Sequence, residues 1–267
     1  MSDDLFSGGS TSVKRKRHPI RNILVTLVIM AALLVPGYFV AESLARSAAT
    51  SYVQAGVQKE LNVADRNDVH VSLGKGSIIL QVLQGHIKSM KVNIDKFTTD
   101  SLTGRASITA TGVPLSTSSP VTKMSIVVTV DANSMKTMID TAIGSPTATV
   151  ELAGDQVRIG TKAKLFGISV PASIDLTPSV AHGRVVLTPV AFTVNKKTYT
   201  AKELKASPIG AFVGGLLKAP TLCVASSLPR DLKLTNVAVS SDNVVVTVEG
   251  TGVPLSSLAT KGSCVAS

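Results

Sequence analysis

Three hydrophobic patterns follow one another along the chain. Ile23 to Val40 (ILVTLVIMAALLVPGYFV) is about 18 residues without a charge, which at ~1.5 Å per residue is just long enough to cross the hydrocarbon core of a bilayer as a helix. Ala41 to Leu61 then sets apolar or small residues in two adjacent i, i+4 rows, Leu44/Ala48/Tyr52 and Ala45/Ala49/Val53/Val57/Leu61, which predicts an amphipathic helix continuing outward. From Val69 onward the period falls to two. Val69/Val71/Leu73, Met90/Val92/Ile94, Met124/Ile126/Val128/Val130, Val157/Ile159, Ile168/Val170/Ala172/Ile174/Leu176, Val185/Leu187, Val190/Phe192/Val194 and Val244/Val246/Val248 alternate with polar residues, as half-buried antiparallel strands do.

Turn chemistry separates these runs at Gly74-Lys75-Gly76, Ala153-Gly154-Asp155-Gln156, His182-Gly183 and Ser241-Asp242-Asn243. Two further helices interrupt them. Ser134 to Ile143 puts Met135, Met138, Ile139 and Ala142 on one face, and Ala201 to Lys218 does the same with Leu204, Ile209, Phe212, Val213, Leu216 and Leu217. The latter opens on a capping box, Thr200 to Glu203. Its Pro208, Gly210, Gly214 and Gly215 predict a bent or broken helix. The hexapeptide Thr-Gly-Val-Pro-Leu-Ser occurs at Thr111–Ser116 and again at Thr251–Ser256, each time directly after a strand: either two related β-units or one convenient turn used twice.

Composition narrows what such a sheet can do. Hydrophobic residues make up 44% of the chain but aromatics only 3%, with no Trp, so the core is built of Val, Ile, Leu, Ala and Met. Ring-poor aliphatic walls suit an ordinary Val-rich sheet core, and they equally suit a cavity that takes flexible acyl chains by shape. The formal charge is +10. Its bases are scattered without aromatic platforms, which disfavours nucleic acid, while a positive surface fits anionic phospholipid headgroups.

The charges nearest the apolar run set topology. Lys14, Arg15, Lys16, Arg17 and Arg21 precede it, placing the N-terminus in the cytoplasm by the positive-inside rule and all that follows outside. Three parts are expected: a disordered basic cytoplasmic tail (1–22), a transmembrane or signal-anchor helix (23–40) and an extracytoplasmic domain (41–267). Cleavage of the run as a secretory signal, near Ser47, Ala48 and Ala49, is the competing reading and yields a secreted protein. In that oxidising compartment Cys223 and Cys264, the only cysteines, are expected to form a disulfide.

Catalytic patterns are lacking. There is no Gly-x-Ser-x-Gly, no Gly-x-x-x-x-Gly-Lys, no His-Glu-x-x-His and no Cys-x-x-Cys. Gly74-Lys75-Gly76-Ser77 lies between strand-like runs and reads as a hairpin turn. The four His, at 18, 70, 86 and 182, show no metal-ligand spacing with the cysteines, and Asp95, Asp100, Asp131, Asp140, Asp175 and Asp231 are isolated along the chain. No enzyme, metal or cofactor is expected.

Several segments resemble a known group. Val71 to Phe97 (VSLGKGSIILQVLQGHIKSMKVNIDKF), with Leu80, Gln81 and Gly85, is similar to the opening of the actinobacterial LmeA-like phospholipid-binding family. Glu151–Thr161, Gly183–Val194 and Cys223–Val239 resemble its later segments, so that the likeness covers roughly residues 42 to 260. The resemblance implies an α+β, tubular lipid-binding-like fold, with a highly curved antiparallel sheet wrapped around a long amphipathic helix. It also implies a cell-envelope phospholipid-binding protein; the mycobacterial member takes part in elongating the mannan of lipomannan.

The function expected is therefore a membrane-anchored, extracytoplasmic protein that binds phospholipid and carries or presents it for lipoglycan assembly. Its partners would be an anionic phospholipid or lipid-linked glycan, the plasma membrane and an envelope glycosyltransferase; the alternative is a non-catalytic accessory subunit of such a transferase. Lipid-lining residues are expected at Tyr52, Val53, Val57, Met135, Met138, Ile139, Phe212 and Leu216. The disulfide would close a loop of about 40 residues and stabilise by around 4 kcal/mol in the chain-entropy model. Cys223→Ser should accordingly lower the melting temperature, whereas ready alkylation of both thiols in native protein would rule the bond out.

Overall fold

In the computed structural model the described residues are 19–61, 63–98, 103–135, 149–165, 168–206, 221–225 and 228–263, without the side chains of 19–29, 31, 33, 60, 161, 163–165, 168, 201, 204–205 and 221–222. The chain divides into two units, Met1–Leu44 and Ala45–Ser267. What is described of the first is helical and belongs to α1 (Pro19–Glu60), which contains Pro36 and continues into the second unit. Among the described residues no helix is long and apolar enough to cross a membrane; much of the apolar run 23–40 falls on side chains outside them.

The second unit is mostly antiparallel sheet. Six strands form the first sheet: β1 (Val69–Leu73), β2 (His86–Thr98), β3 (Thr103–Pro114), β4 (Pro120–Asp131), β12 (Asn243–Pro254) and β11 (Lys233–Val239), in that order. The second sheet runs β10 (Thr221–Leu222), β8 (Arg184–Val194), β7 (Ile168–Ala181), β6 (Gln156–Leu165), β5 (Thr149–Ala153), with β9 (Lys197–Thr200) also on β8. This is the expected α+β composition, one long helix with antiparallel strands, although the strands form two sheets where a single curved one was expected. The alternating runs at 185–187 and 190–194 are one strand, β8, and the Ser/Thr/Ala-rich β3 is a full strand that its weak hydrophobic contrast concealed.

Local chemistry accounts for the turns. His182 and Gly183 (φ 53° and 70°) and Asn195 and Lys196 (φ 47° and 66°) hold left-handed pairs between β7, β8 and β9, the geometry whose twist matches antiparallel strands. The Thr200 capping box forms: the Thr200 N–H and hydroxyl donate to the Glu203 carboxylate at 2.8 and 3.0 Å, and the Glu203 N–H donates to Thr200 Oγ1 at 3.2 Å. It opens α3 (Ala201–Ala206); residues 207–218 of the expected helix lie outside the described residues. Hydrogen bonds from the Thr200 backbone and then its hydroxyl hold the Glu203 carboxyl below its usual range. The cap's contribution is therefore present at neutral pH and lost as pH falls through that lowered value.

One predicted turn is corrected. Gly74–Ser77 does not join two strands but leads into α2 (Ile78–Leu83), with Ser77 as N-cap accepting from Leu80 N–H at 3.2 Å. The β1 strand instead pairs with β2, with Leu73 opposite Met90. The repeated hexapeptide is likewise placed within strands. Its copies end β3 and β12, the two neighbours of β4, and Thr111 and Thr251 both stand opposite Lys123. Gly112 and Gly252 are left-handed at the same point (φ 60° and 63°).

The sheet admits no side chain at Gly104, where an added Cβ would lie 2.6 Å from the Thr129 carbonyl oxygen and 3.2 Å from the Phe97 ring. Gly104→Ala should lower stability by about 1–3 kcal/mol through overpacking, read as a reduced urea midpoint at unchanged slope.

Candidate functional site

Register converts the alternating runs into rows across the first sheet, since residues directly opposite one another share a face. One row is Val69, Ile94, Ala106, Val128, Val246, Val237; the next is Val71, Val92, Ile108, Ile126, Val248, Leu234; a third is Leu73, Met90, Ala110, Met124, Gly250. Every position is aliphatic, methionine or glycine. These rows present one continuous aliphatic face, bordered near the end of β2 by Phe97, which packs against the cluster of Val63, Val69, Val92 and Ile94.

The two flanks of that face are covered. On the β1–β2 side, Val53 and Val57 of α1 pack against Val63, Val69, Val92 and Ile94, and Ala49 packs against Leu73, Ile78 and Ile87. On the β12–β11 side, Val180 and Val185 of the second sheet, with Val224 and Leu228, pack against Met124, Leu232, Leu234 and Val248. Between the flanks, Ala106, Ile108, Ile126, Val128 and Val246 stay half-buried. A strip of aliphatic side chains therefore runs through the middle of the sheet, closed on both sides and incompletely covered itself.

Polar contacts fix the helix over this face. The Arg46 guanidinium donates to the carbonyls of Leu73 and Gly74 at 3.1 Å and of Gly76 at 2.6 Å, and Gln54 Nε2 donates to the carbonyls of Val69 and Arg66 at 2.8 and 2.9 Å. Both use acceptors at the edge strand β1, so the helix is held against the edge as well as packed on it. Of the two expected helical rows, Ala45/Ala49/Val53/Val57 faces the sheet. The other does not: Leu44 and Tyr52 are exposed, Tyr52 at 84%, because Arg46 and Gln54 draw their side of the helix inward.

Of the residues expected to line a lipid site, Val53 and Val57 come together at the strip's flank. Tyr52 points away from it, and Met135 is half-buried in the helical turn at 132–135. Met138, Ile139, Phe212 and Leu216 lie outside the described residues. Cys223 is not a free thiol, and Cys264 lies outside the described residues. Sequence reading missed Ala106 and Ile108, whose alternation through Ala110 was present but low in contrast, and it could not assemble the strip because β4 and β12 are adjacent only in space.

The opposite face is mostly polar, with Val127 among its side chains. An open depression of about 300 Å³ is lined by His70, Asn93, Asp95, Arg105, Ser107 and Thr129 among others. His70 Nε2 lies 3.0 Å from Asp95 Oδ2, both well exposed, but the Ser107 hydroxyl donates to Asn93 Oδ1 at 2.9 Å. The nucleophile-to-base hydrogen bond of a triad is thus not made by this serine. In the second sheet Asp175 is buried and accepts from Arg158 Nε and Nη2 at 2.7 and 3.0 Å. The hydrogen bond to Asp175, then its charge, raise the guanidinium above its ordinary pKa. That pair is a structural strut between neighbouring strands.

A family model described as LmeA-like phospholipid-binding matches residues 40–249, well over half of the chain and the whole strip-bearing sheet except the end of β12. No curated protein and no solved structure gives a significant match.

Arg46→Ala should destabilise the unit by roughly 1–3 kcal/mol, the range for charge-assisted hydrogen bonds, and speed amide exchange at Gly74. Arg46→Lys should recover little of this, since a point charge cannot fork to three carbonyls.

Proposed function

We propose a function from one established premise: the chain belongs to the LmeA-like phospholipid-binding family. Its half-buried aliphatic strip, Ala106, Ile108, Ile126, Val128 and Val246, takes phospholipid acyl chains, and this strip is the observation that carries the reading. The strip spans three strands, β3, β4 and β12, or about 10 Å across at about 4.8 Å spacing, enough to hold the larger part of a leaflet-length chain of about 15 Å. Each methylene drawn from water onto such a surface contributes about 0.8 kcal/mol. Val, Ile and Ala offer shape without hydrogen-bond demands, which suits a ligand with many rotamers. Val53 and Val57 wall the strip on the helix side, and the headgroup, anionic or glycan-linked, remains toward water.

In this reading Ile23–Val40 anchors the protein in the plasma membrane, Lys14 to Arg21 stay on the cytoplasmic side and the sheets lie outside. A Cys223–Cys264 bond suits that compartment. The protein holds phospholipid and presents it to envelope lipoglycan assembly, with a glycosyltransferase as the receiving partner; it converts nothing itself.

The test is mass spectrometry of lipid extracted from residues 45–267, purified without detergent from an actinobacterial host. Stoichiometric phospholipid is expected, and Ile108→Phe with Val128→Phe should reduce it by about half or more by filling the strip, at little change in melting temperature. A folded, lipid-free unit would refute the reading.

A further inference from the structure

We infer that one end of the first sheet, carried by α2 and the loop after β3, is a docking face for an anionic phospholipid bilayer. The inference rests on the anchored, phospholipid-binding reading and adds to it which end of the unit meets the membrane.

The helix α2 is inverted. Its buried positions are Ile78 and Gln81, with Gln81 only 2% exposed, while Leu80, Val82 and Leu83 are turned out at 55, 46 and 79%. Gln81 is buried with partners at both ends of its side-chain amide: the nitrogen donates to the Ser77 carbonyl at 3.2 Å, and the oxygen accepts from the Lys88 N–H at 2.7 Å. A helix solvated on its outer side places leucine inward and glutamine outward. Leu115 joins the patch. Its N–H donates to the Gly85 carbonyl at 3.0 Å, two residues beyond Leu83, and its side chain is half exposed. Among the described residues of 45–267, the only other large hydrophobic side chains so exposed are Tyr52 and Leu61. The repeated hexapeptide supplies an internal control. Leu255, the counterpart of Leu115, packs against the core, so the turn sequence does not force its leucine outward.

Charge follows the same axis. The segments that meet at this end, 73–90, 111–123 and 251–263, carry Lys75, Lys88, Lys123 and Lys261 and no Asp or Glu. Carboxylates beside these segments come with their own cations: Glu249, earlier on β12, stands opposite Lys233, and Asp231, just before β11, lies 3.9 Å from Arg230. The other end of the sheet carries Asp65, Asp68, Asp95, Asp131 and Asp242 beside Arg66, Lys96 and Arg105. Exposed leucines on segments that carry lysines and no carboxylate of their own fit the boundary between acyl chains and anionic headgroups. Helix direction agrees. Arg46 sits on Leu73, Gly74 and Gly76 at the basic end, and Val57 on Val69 and Ile94 toward the acidic one, so the chain enters the unit at the basic end. The apolar run ends at Val40, five residues before Ala45, a covalent reach of at most roughly 18 Å.

The absence of Trp makes a single introduced one the sole indole reporter. Full-length Leu83→Trp, Leu115→Trp and, at the acidic end, Asp242→Trp are reconstituted into phosphatidylcholine vesicles containing phosphatidylglycerol, with and without brominated acyl chains. All three share the same N-terminal run, so position alone separates them. Bromolipid quenching is expected to be about threefold or more stronger at 83 and 115 than at 242. It should weaken with Lys75→Glu plus Lys88→Glu or in about 1 M salt, where the Debye length is near 3 Å. Equal, weak quenching at all three sites in protein that floats with the vesicles and retains phospholipid overturns the docking face alone. Shielding of 83 and 115 by a second copy, seen as concentration-dependent dimer without quenching, overturns it too. A chain that neither floats nor holds phospholipid overturns both this inference and the reading beneath it.

Discussion

The structure depends on keeping an aliphatic face in register across six strands. Each row is made by pairing residues of equal character, Ile108 with Ile126 and Val92, Val128 with Val246 and Ala106, and a slip of one residue on any strand would bring Ser, Thr or Lys into the row. Once the face exists, its edges must be covered. The helix covers the β1 side and the second sheet the β11 side, each by packing aliphatic side chains of its own. The middle of the face is less completely covered than its edges. A face too wide for those two sets of contacts leaves a strip in which Ala106, Ile108, Ile126, Val128 and Val246 are half-buried.

Edge protection and helix placement are the same interaction. An edge strand exposes carbonyls that invite another chain, and β1 is such an edge. Arg46 and Gln54 satisfy acceptors at Val69, Leu73 and Gly74, so that a helix which would otherwise be free to slide along a greasy surface is fixed in register with the strand. Hydrophobic packing is non-directional; the guanidinium and amide supply the direction. That direction sets which end of the sheet receives the incoming chain.

Much of this was legible in sequence, and what was not has physical reasons. Period-two runs such as Met124/Ile126/Val128/Val130 located their strands because alternation is fixed by the pleat, and Thr200 to Glu203 announced its helix because capping is local. The β3 strand escaped since Ala, Ser and Thr give little contrast between its faces. The α2 helix escaped twice over: six residues are too few for a 3.6-residue period to declare itself, and its polarity is reversed. Tyr52 was misjudged because an i, i+4 row does not reveal that a neighbouring row carrying Arg46 and Gln54 has partners waiting. The strip itself could not be read at all, since β4 and β12 are separated by more than a hundred residues and only their pairing creates it.

The repeated hexapeptide shows how far identical sequence leaves the outcome undecided. Both copies place Thr opposite Lys123 and Gly in the left-handed region, so backbone and register follow sequence faithfully. The leucines then part. Leu255 meets a core assembled from β4, β11, β12 and side chains of the second sheet and is drawn into it, whereas Leu115 lies beside Gly85 and remains in contact with water. Exposure of Leu115 is thus a property of what surrounds it. The same holds for Leu80 and Leu83, whose helix uses its inward positions on Ile78 and a hydrogen-bonded Gln81. Apolar side chains are thus kept outward by a buried glutamine that already has its partners, at the end of the sheet where the chain arrives.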